Sequence, residues 1–95
     1  MEFLREDHAI VVRDDNNEVI AKITYVDTDD DNVVEANHTY TSDILRGQGI
    51  AGKLLAELVK DMEAQGKKIY PTCSYVVKKF DQEPKVYGHI DARKA

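Results

Sequence analysis

Apolar and polar positions along this chain change period once, near residue 46, and the two halves read differently. In the first half the apolar residues alternate in short runs separated by acidic and amide-rich turns. Ala9 to Arg13 is a short apolar run, Asp14-Asp15-Asn16-Asn17 supplies residues that tolerate tight-turn dihedrals, and Glu18 to Val26 alternates with Val19, Ala21, Ile23 and Tyr25 on one side. These runs predict a hairpin with one buried face. Asp27-Thr28-Asp29-Asp30-Asp31-Asn32 forms the next connection. It lacks the glycine and the spaced glutamate of a calcium loop, so it reads as a solvated turn. Val33 to Thr41 predicts a third strand of an antiparallel meander, with Val34, Ala36, His38 and Tyr40 on one face and Glu35, Asn37, Thr39 and Thr41 on the other.

After Arg46-Gly47-Gln48-Gly49 the spacing turns helical: Ile50, Leu54, Leu55, Leu58, Val59 and Met62 share one face, and Gly66 is placed to end the helix. Lys67 to Thr72 returns as a strand, expected parallel to Val33–Thr41 because a helical crossover separates them. Tyr75 to Phe80 predicts a short final helix, capped by Thr72 or Ser74 and ending before Pro84, and the polar tail from Gly88 to Ala95 is expected to be loosely held. The fold class is therefore α/β of an α+β-like kind, a single domain over residues 1–95. It has a mainly antiparallel sheet, one long crossover helix and a short C-terminal helix.

Composition narrows the function. Ninety-five residues, 42% hydrophobic and 33% charged, suit one domain with a thin core, so a site is expected to be shallow. Thirteen basic against 18 acidic residues give a net charge of −5, a field that repels phosphate backbones and anionic membranes and argues against nucleic-acid or membrane partners. Cys73 is the single cysteine, which excludes an intramolecular disulfide and a cysteine zinc cluster, so no metal is expected and a reducing, cytoplasmic setting is. No apolar run approaches the roughly 18 residues of a membrane span, and the acidic stretch Met1 to Asp7 does not fit a signal peptide.

Two features carry candidate chemistry. Arg46-Gly47-Gln48-Gly49-Ile50-Ala51-Gly52-Lys53 is a glycine-rich turn at the mouth of a helix, where unpaired N–H groups and the helix dipole suit a diphosphate; an ordinary structural turn is the other reading. It is not a Walker loop, because Leu54 follows Lys53 where that loop needs Ser or Thr. Cys73 lies where a strand gives way to a helix, a position that stabilises a thiolate, although a free cysteine is also a common small core residue.

The turn, read as Arg46-Gly47-Gln48-Gly49-Ile50-Ala51, resembles the signature of the GNAT superfamily of acyl-coenzyme A-dependent N-acyltransferases. With His38-Thr39 before it and Pro71-Thr72-Cys73-Ser74-Tyr75 after it, the chain is most similar to the short, stand-alone GNAT-like proteins. The resemblance implies a small acetyl-CoA-dependent N-acetyltransferase. Acetyl-CoA would be bound by Arg46, Gly47, Gln48, Gly49, Ile50, Ala51, Gly52 and Lys53, with its pyrophosphate on the backbone amides from Gly47 to Lys53, its pantetheine along Thr39, Tyr40 and Thr41, and its thioester between that strand and the one ending at Cys73. It further implies Cys73 as an acyl-accepting nucleophile with His38 as its base. In larger relatives the amine attacks the thioester directly, and Cys73 would then be only a neighbour. Tyr75 and Tyr87 are candidates either for reprotonating the leaving thiolate or for packing, and Lys78-Lys79 either for the adenosine phosphate or for solvent. There is no room for the two helices that usually build the acceptor pocket. An open cleft taking an exposed amine is therefore expected, on a cationic small molecule or a protein lysine, favoured by the acidic surface. A rival reading is a non-catalytic acyl-CoA or CoA-binding sensor or carrier. A plain interaction domain is a third.

Overall fold

The alternating first half folds as predicted, with one addition. The computed structural model describes residues 1–94, in which β1 (Leu4–Glu6), β2 (Ala9–Arg13), β3 (Val19–Asp27) and β4 (Val33–Thr41) form an antiparallel sheet in chain order. The strand at Leu4–Glu6 was not expected from the sequence, because three residues are too few to show a period. It is held by pairing with β2 and by Arg5, whose guanidinium donates to Glu57 at 2.8 Å and to Asp61 at 2.9 Å on the long helix. β5 (Lys68–Pro71) lies parallel to β4, in register from Val33 opposite Lys68 to Ala36 opposite Pro71.

The helical periodicity gives α1 (Ile50–Gln65), whose buried stripe of Ile50, Leu54, Leu55, Leu58, Val59 and Met62 packs on one face of the sheet. The sheet contributes Ile10, Val12, Ala21, Ile23, Val34, Ala36 and Ile69 to the same core. Beyond β5 come α2 (Ser74–Gln82), one residue after Cys73, and a short α3 (Pro84–Tyr87) that was not expected. Their buried Val76, Phe80 and Tyr87 join that one core.

The tail corrects an expectation. The stretch from Gly88 is not loose: Ile69 N–H donates to Ile90 C=O and Ala92 N–H to Ile69 C=O, both at 2.8 Å, so residues 90–92 run parallel to the outer edge of β5. The physical cause is a buried strand edge that needs partners. Ile90 and Asp91 are buried there, and the Asp91 carboxylate is held below the usual range by Arg93, which also reaches Asp81. Two successive right-handed crossovers in the same direction put α1 and α2 on one face of the sheet. The other face, carrying Lys22, Thr24, Glu35, His38, Tyr40 and Tyr70, has no helix over it.

The second correction concerns the phase of β4. Thr24 pairs with His38 but Tyr25 pairs with Ala36, so Asn37 is an extra residue in β4, a β-bulge. Each side chain beyond it changes face. Val34 and Ala36 point to the core, and past the bulge Thr39 and Thr41 do, opposite the buried Ile23 and Ala21, while His38 and Tyr40 point to the uncovered face. The expected grouping of His38 and Tyr40 with Val34 and Ala36 is therefore wrong.

Because Leu58 is fully buried, Leu58→Ala should lower unfolding stability by about 2–5 kcal/mol, whereas Ile44→Ala, at 71% exposure, should stay within about 0.5 kcal/mol. Urea denaturation followed by circular dichroism measures both, and equal effects would contradict this placement of the core.

Candidate active site

The bulge opens the sheet. β4 and β5 stay paired only to Ala36, where the Ala36 carbonyl accepts from the N–H groups of Thr72 at 3.0 Å and Cys73 at 3.1 Å. Beyond that point β4 runs on to Thr41 while the other chain turns into α2, leaving a wedge between them. Which main-chain groups face the wedge follows from the register. Ser42 N–H bonds to Ile20 C=O at 2.8 Å, so alternate positions of β4, including Tyr40 and His38, bond towards β3. The N–H and C=O groups of Thr39 and Thr41 point the other way, into the gap. Tyr40, expected to help hold the pantetheine, has its backbone committed to β3 and its ring on the uncovered face.

Cys73 sits at the apex of this wedge, half-buried, as the N-cap of α2. Its Sγ lies 3.5 Å from Thr39 Oγ1. Burial is the largest single influence on the thiol and pushes its pKa up, but the Thr39 hydroxyl and the backbone N–H groups of Val76, Tyr75 and Thr39 together outweigh it. The net pKa is below that of an ordinary thiol, and the thiolate has donors from both sides of the gap. His38 is not among them. It lies across the sheet from Thr39, at the rim of the wedge on the uncovered face, so the structure brings Cys73 together with Thr39 and not with His38.

The turn stands at the far end of β4. Gly47 and Gly49 have φ of +81° and +69°, a left-handed backbone that side chains disfavour, which is why glycines occupy these positions. The first α1 bond runs from Lys53 N–H to Gly49 C=O at 3.1 Å, so the N–H groups of Ile50, Ala51 and Gly52 have no intrahelical partner, and no acidic residue lies in that first turn. A diphosphate would meet free donors and the positive end of the helix dipole. Ile50 can offer only its main chain, because its side chain is in the core. Gln48 and Lys53 are exposed, and Arg46 is exposed and paired with Asp43 at 3.0 Å.

Tyr75 joins the two halves of the site. A Cβ built on Gly52 would stand 3.4 Å from the Tyr75 hydroxyl, so this ring reaches from the first turn of α2 to the first turn of α1. Tyr87 is a packing residue, stacked on Phe80 with ring centroids 5.0 Å apart. Lys79 is tied to Glu83 at 2.7 Å. Thr39 as the partner of the sulfur was missed from the sequence, and the signal that could have found it is Asn37, an amide residue poorly suited to a strand interior.

A family model described as GCN5-related N-acetyl-transferase matches residues 9–90. No curated protein matches the chain. Among solved structures, the solution structure of a GCN5-like protein from Staphylococcus aureus is 31% identical, over 95% of this chain and 86% of that one, with a TM-score of 0.78. Two longer proteins share the fold. One is the GNAT family N-acetyltransferase YhbS from Escherichia coli, in complex with CoA: 24% identity, 66% of this chain, 38% of that chain, TM-score 0.57. The other is Tetrahymena GCN5: 12% identity, 82% and 51% of the two chains, TM-score 0.63. The match takes in all of β2 to α3, with the wedge, the thiol and the turn inside it, and the chain belongs to the GCN5-related N-acetyltransferase family.

Proposed function

We propose that this protein transfers the acetyl group of acetyl-CoA to an amine, with Cys73 receiving the acetyl group first. The observation that carries this reading is the Cys73 sulfur at the apex of the wedge, 3.5 Å from the Thr39 hydroxyl and with its pKa lowered by the donors around it. The free backbone N–H groups of Ile50, Ala51 and Gly52 bind the pyrophosphate, and the Thr39 and Thr41 main chain orients the pantetheine amides in the wedge. That puts the thioester carbonyl against Cys73. The thiolate forms a bond to the carbonyl carbon, the bond to the coenzyme sulfur breaks, and coenzyme A leaves as its thiolate. The amine then arrives from the uncovered face, gives its proton to His38 and displaces Cys73 from the acetyl group. On this geometry His38 serves the amine, not the cysteine. Tyr75, two residues after Cys73 and with its hydroxyl reaching towards Gly52, is the candidate for returning a proton to the departing coenzyme.

Calorimetry with coenzyme A should show one saturable site. Gly49→Val forces a β-branched residue into a left-handed conformation that costs about 1–2 kcal/mol, and it should weaken binding on the order of tenfold. Unchanged affinity would remove the turn from the site.

The thiol makes a second prediction. A lowered pKa means that the thiolate is present at lower pH than for a free cysteine, so the iodoacetamide rate of Cys73 should reach half its plateau below about pH 8.5. Thr39→Val removes the hydroxyl that helps most and should move the midpoint up. An ordinary midpoint in the unsubstituted protein, or no response to the substitution, would count against the donor set described.

Intact-mass measurement after mixing with acetyl-CoA should show one added acetyl group on Cys73, lost when an amine is supplied. Cys73→Ala should abolish the adduct and lower transfer on the order of 100-fold, and His38→Gln should keep the adduct while slowing its discharge by a similar factor. Full transfer by Cys73→Ala would leave direct attack by the amine. Bound but unaltered acetyl-CoA, with no amine acetylated, would favour the sensor or carrier.

A further inference from the structure

The corner that launches Cys73 is tied on both faces of the sheet. β5 ends at Pro71, and the next two N–H groups, of Thr72 and Cys73, share one acceptor, the Ala36 carbonyl, at 3.0 and 3.1 Å. Two donors on one oxygen fix how far the corner stands from β4 but leave it free to tilt about that oxygen. α2 holds the far side, where Val77 N–H donates to Cys73 C=O at 2.9 Å and Val76 is buried. Alternation along β5 puts Ile69 and Pro71 towards the core and Tyr70 and Thr72 on the uncovered face. On that face the Thr72 hydroxyl donates to the Glu35 carboxylate at 2.7 Å. The hydroxyl also stands 3.4 Å from the Ala36 carbonyl, but it has one proton, and the shorter contact with a charged acceptor takes it.

Tilt is what matters for the sulfur. Cys73 faces the other side of the sheet, where its Sγ meets Thr39 Oγ1 at 3.5 Å. One strand therefore grips the corner twice, through Glu35 before the bulge and through Thr39 after it, from opposite faces. Glu35 can serve as an anchor because its backbone is fixed in mid-sheet, paired with Val26 on one side and Tyr70 on the other, and its side chain is half-buried. Without the Thr72 bond the corner can tilt about the Ala36 carbonyl and carry the sulfur away from Thr39. A misplacement of about 1 Å at a reacting atom costs up to about 100-fold in rate, so a side chain that touches no reactant can still govern the chemistry.

We infer that Glu35 is a positioning residue, which locks the corner between β5 and α2 through the Thr72 hydroxyl and so keeps the Cys73 sulfur against Thr39 at the apex of the wedge. It acts as the acceptor of that one bond, not through its charge and not as a base for the amine. The consequence for acetyl transfer rests on the proposed reaction; the hold on the sulfur does not.

The pH profile of iodoacetamide labelling at Cys73 reads the position of the sulfur without acetyl-CoA. Thr72→Val keeps the β-branched shape and removes the donor, and Glu35→Ala removes the acceptor. Each should raise the midpoint by about 0.5 pH unit, a roughly threefold loss of thiolate at pH 7. The double variant should be no worse than either single one, because both cut the same bond. Thr72→Ser and Glu35→Gln keep the donor and the acceptor and should restore the midpoint of the unsubstituted protein. A carboxylate acting by charge would instead lower the midpoint in Glu35→Gln and Glu35→Ala alike, since removing a negative charge favours the thiolate. That result, additive losses in the double variant, or a midpoint unmoved by Thr72→Val would overturn the inference. With acetyl-CoA, Thr72→Val and Glu35→Ala should form the Cys73 adduct about tenfold more slowly, at unchanged calorimetric affinity for coenzyme A. Glu35→Gln should discharge the adduct to an amine at the rate of the unsubstituted protein; a blocked discharge would make Glu35 a base and overturn its positioning role. Midpoints that respond as expected, with no adduct in any of these proteins, would sink the transfer reading and leave the lock standing. An adduct formed at one rate by every variant would sink the lock and leave the transfer reading.

Discussion

One extra residue, Asn37, determines where this small sheet can open. Up to Ala36 the two central strands satisfy each other's main chain. At the bulge β4 alters its phase and stays with β3, and the chain after β5 leaves for α2. The gap follows because one strand cannot keep both neighbours once its pairing shifts by a residue. Everything chemical in the molecule is placed relative to that gap. The Thr39 and Thr41 main-chain groups face into it, the Cys73 sulfur closes its apex, and the free N–H groups of α1 stand at its open end. In a chain too small to enclose a pocket, a gap between strands is an economical way to obtain a concave, partly desolvated site with donors already in position.

The same constraint explains the division of faces. Both crossover helices lie on the core side, so the core side is closed by Leu54, Leu58, Val76 and Phe80. The opposite side carries the polar residues, Glu35 and Tyr70 among them. On the proposed reaction each reactant has its own entrance: the coenzyme along β4 from the turn, the amine from the uncovered face. The bulge puts His38 at that second entrance.

Much of the architecture was legible in the sequence because the periods are clean. Ile50 to Met62 fixes α1, the alternation from Val19 to Ile23 fixes β3, and the crossover rule fixes β5 as parallel. The glycine turn was legible because left-handed positions require that residue type. Three elements were not. β1 and α3 are too short to show a period, and the pairing of residues 90–92 with β5 is set by the strand edge and by the Asp91–Arg93 pair rather than by local pattern. The phase of β4 failed for a different reason. An uninterrupted alternation from Val34 to Tyr40 is a reasonable reading of side chains, but a bulge is a property of pairing between strands. Its effect is to exchange Thr39 for His38 beside Cys73, which is the one error with consequences for the chemistry.

The most direct test is the structure of the complex with coenzyme A. The account predicts pantetheine amides within about 2.7–3.2 Å of the Thr39 and Thr41 main chain, the pyrophosphate on the N–H groups of the turn, and the coenzyme sulfur in contact with Cys73 Sγ. A coenzyme bound outside the wedge, with its sulfur remote from Cys73, would contradict it.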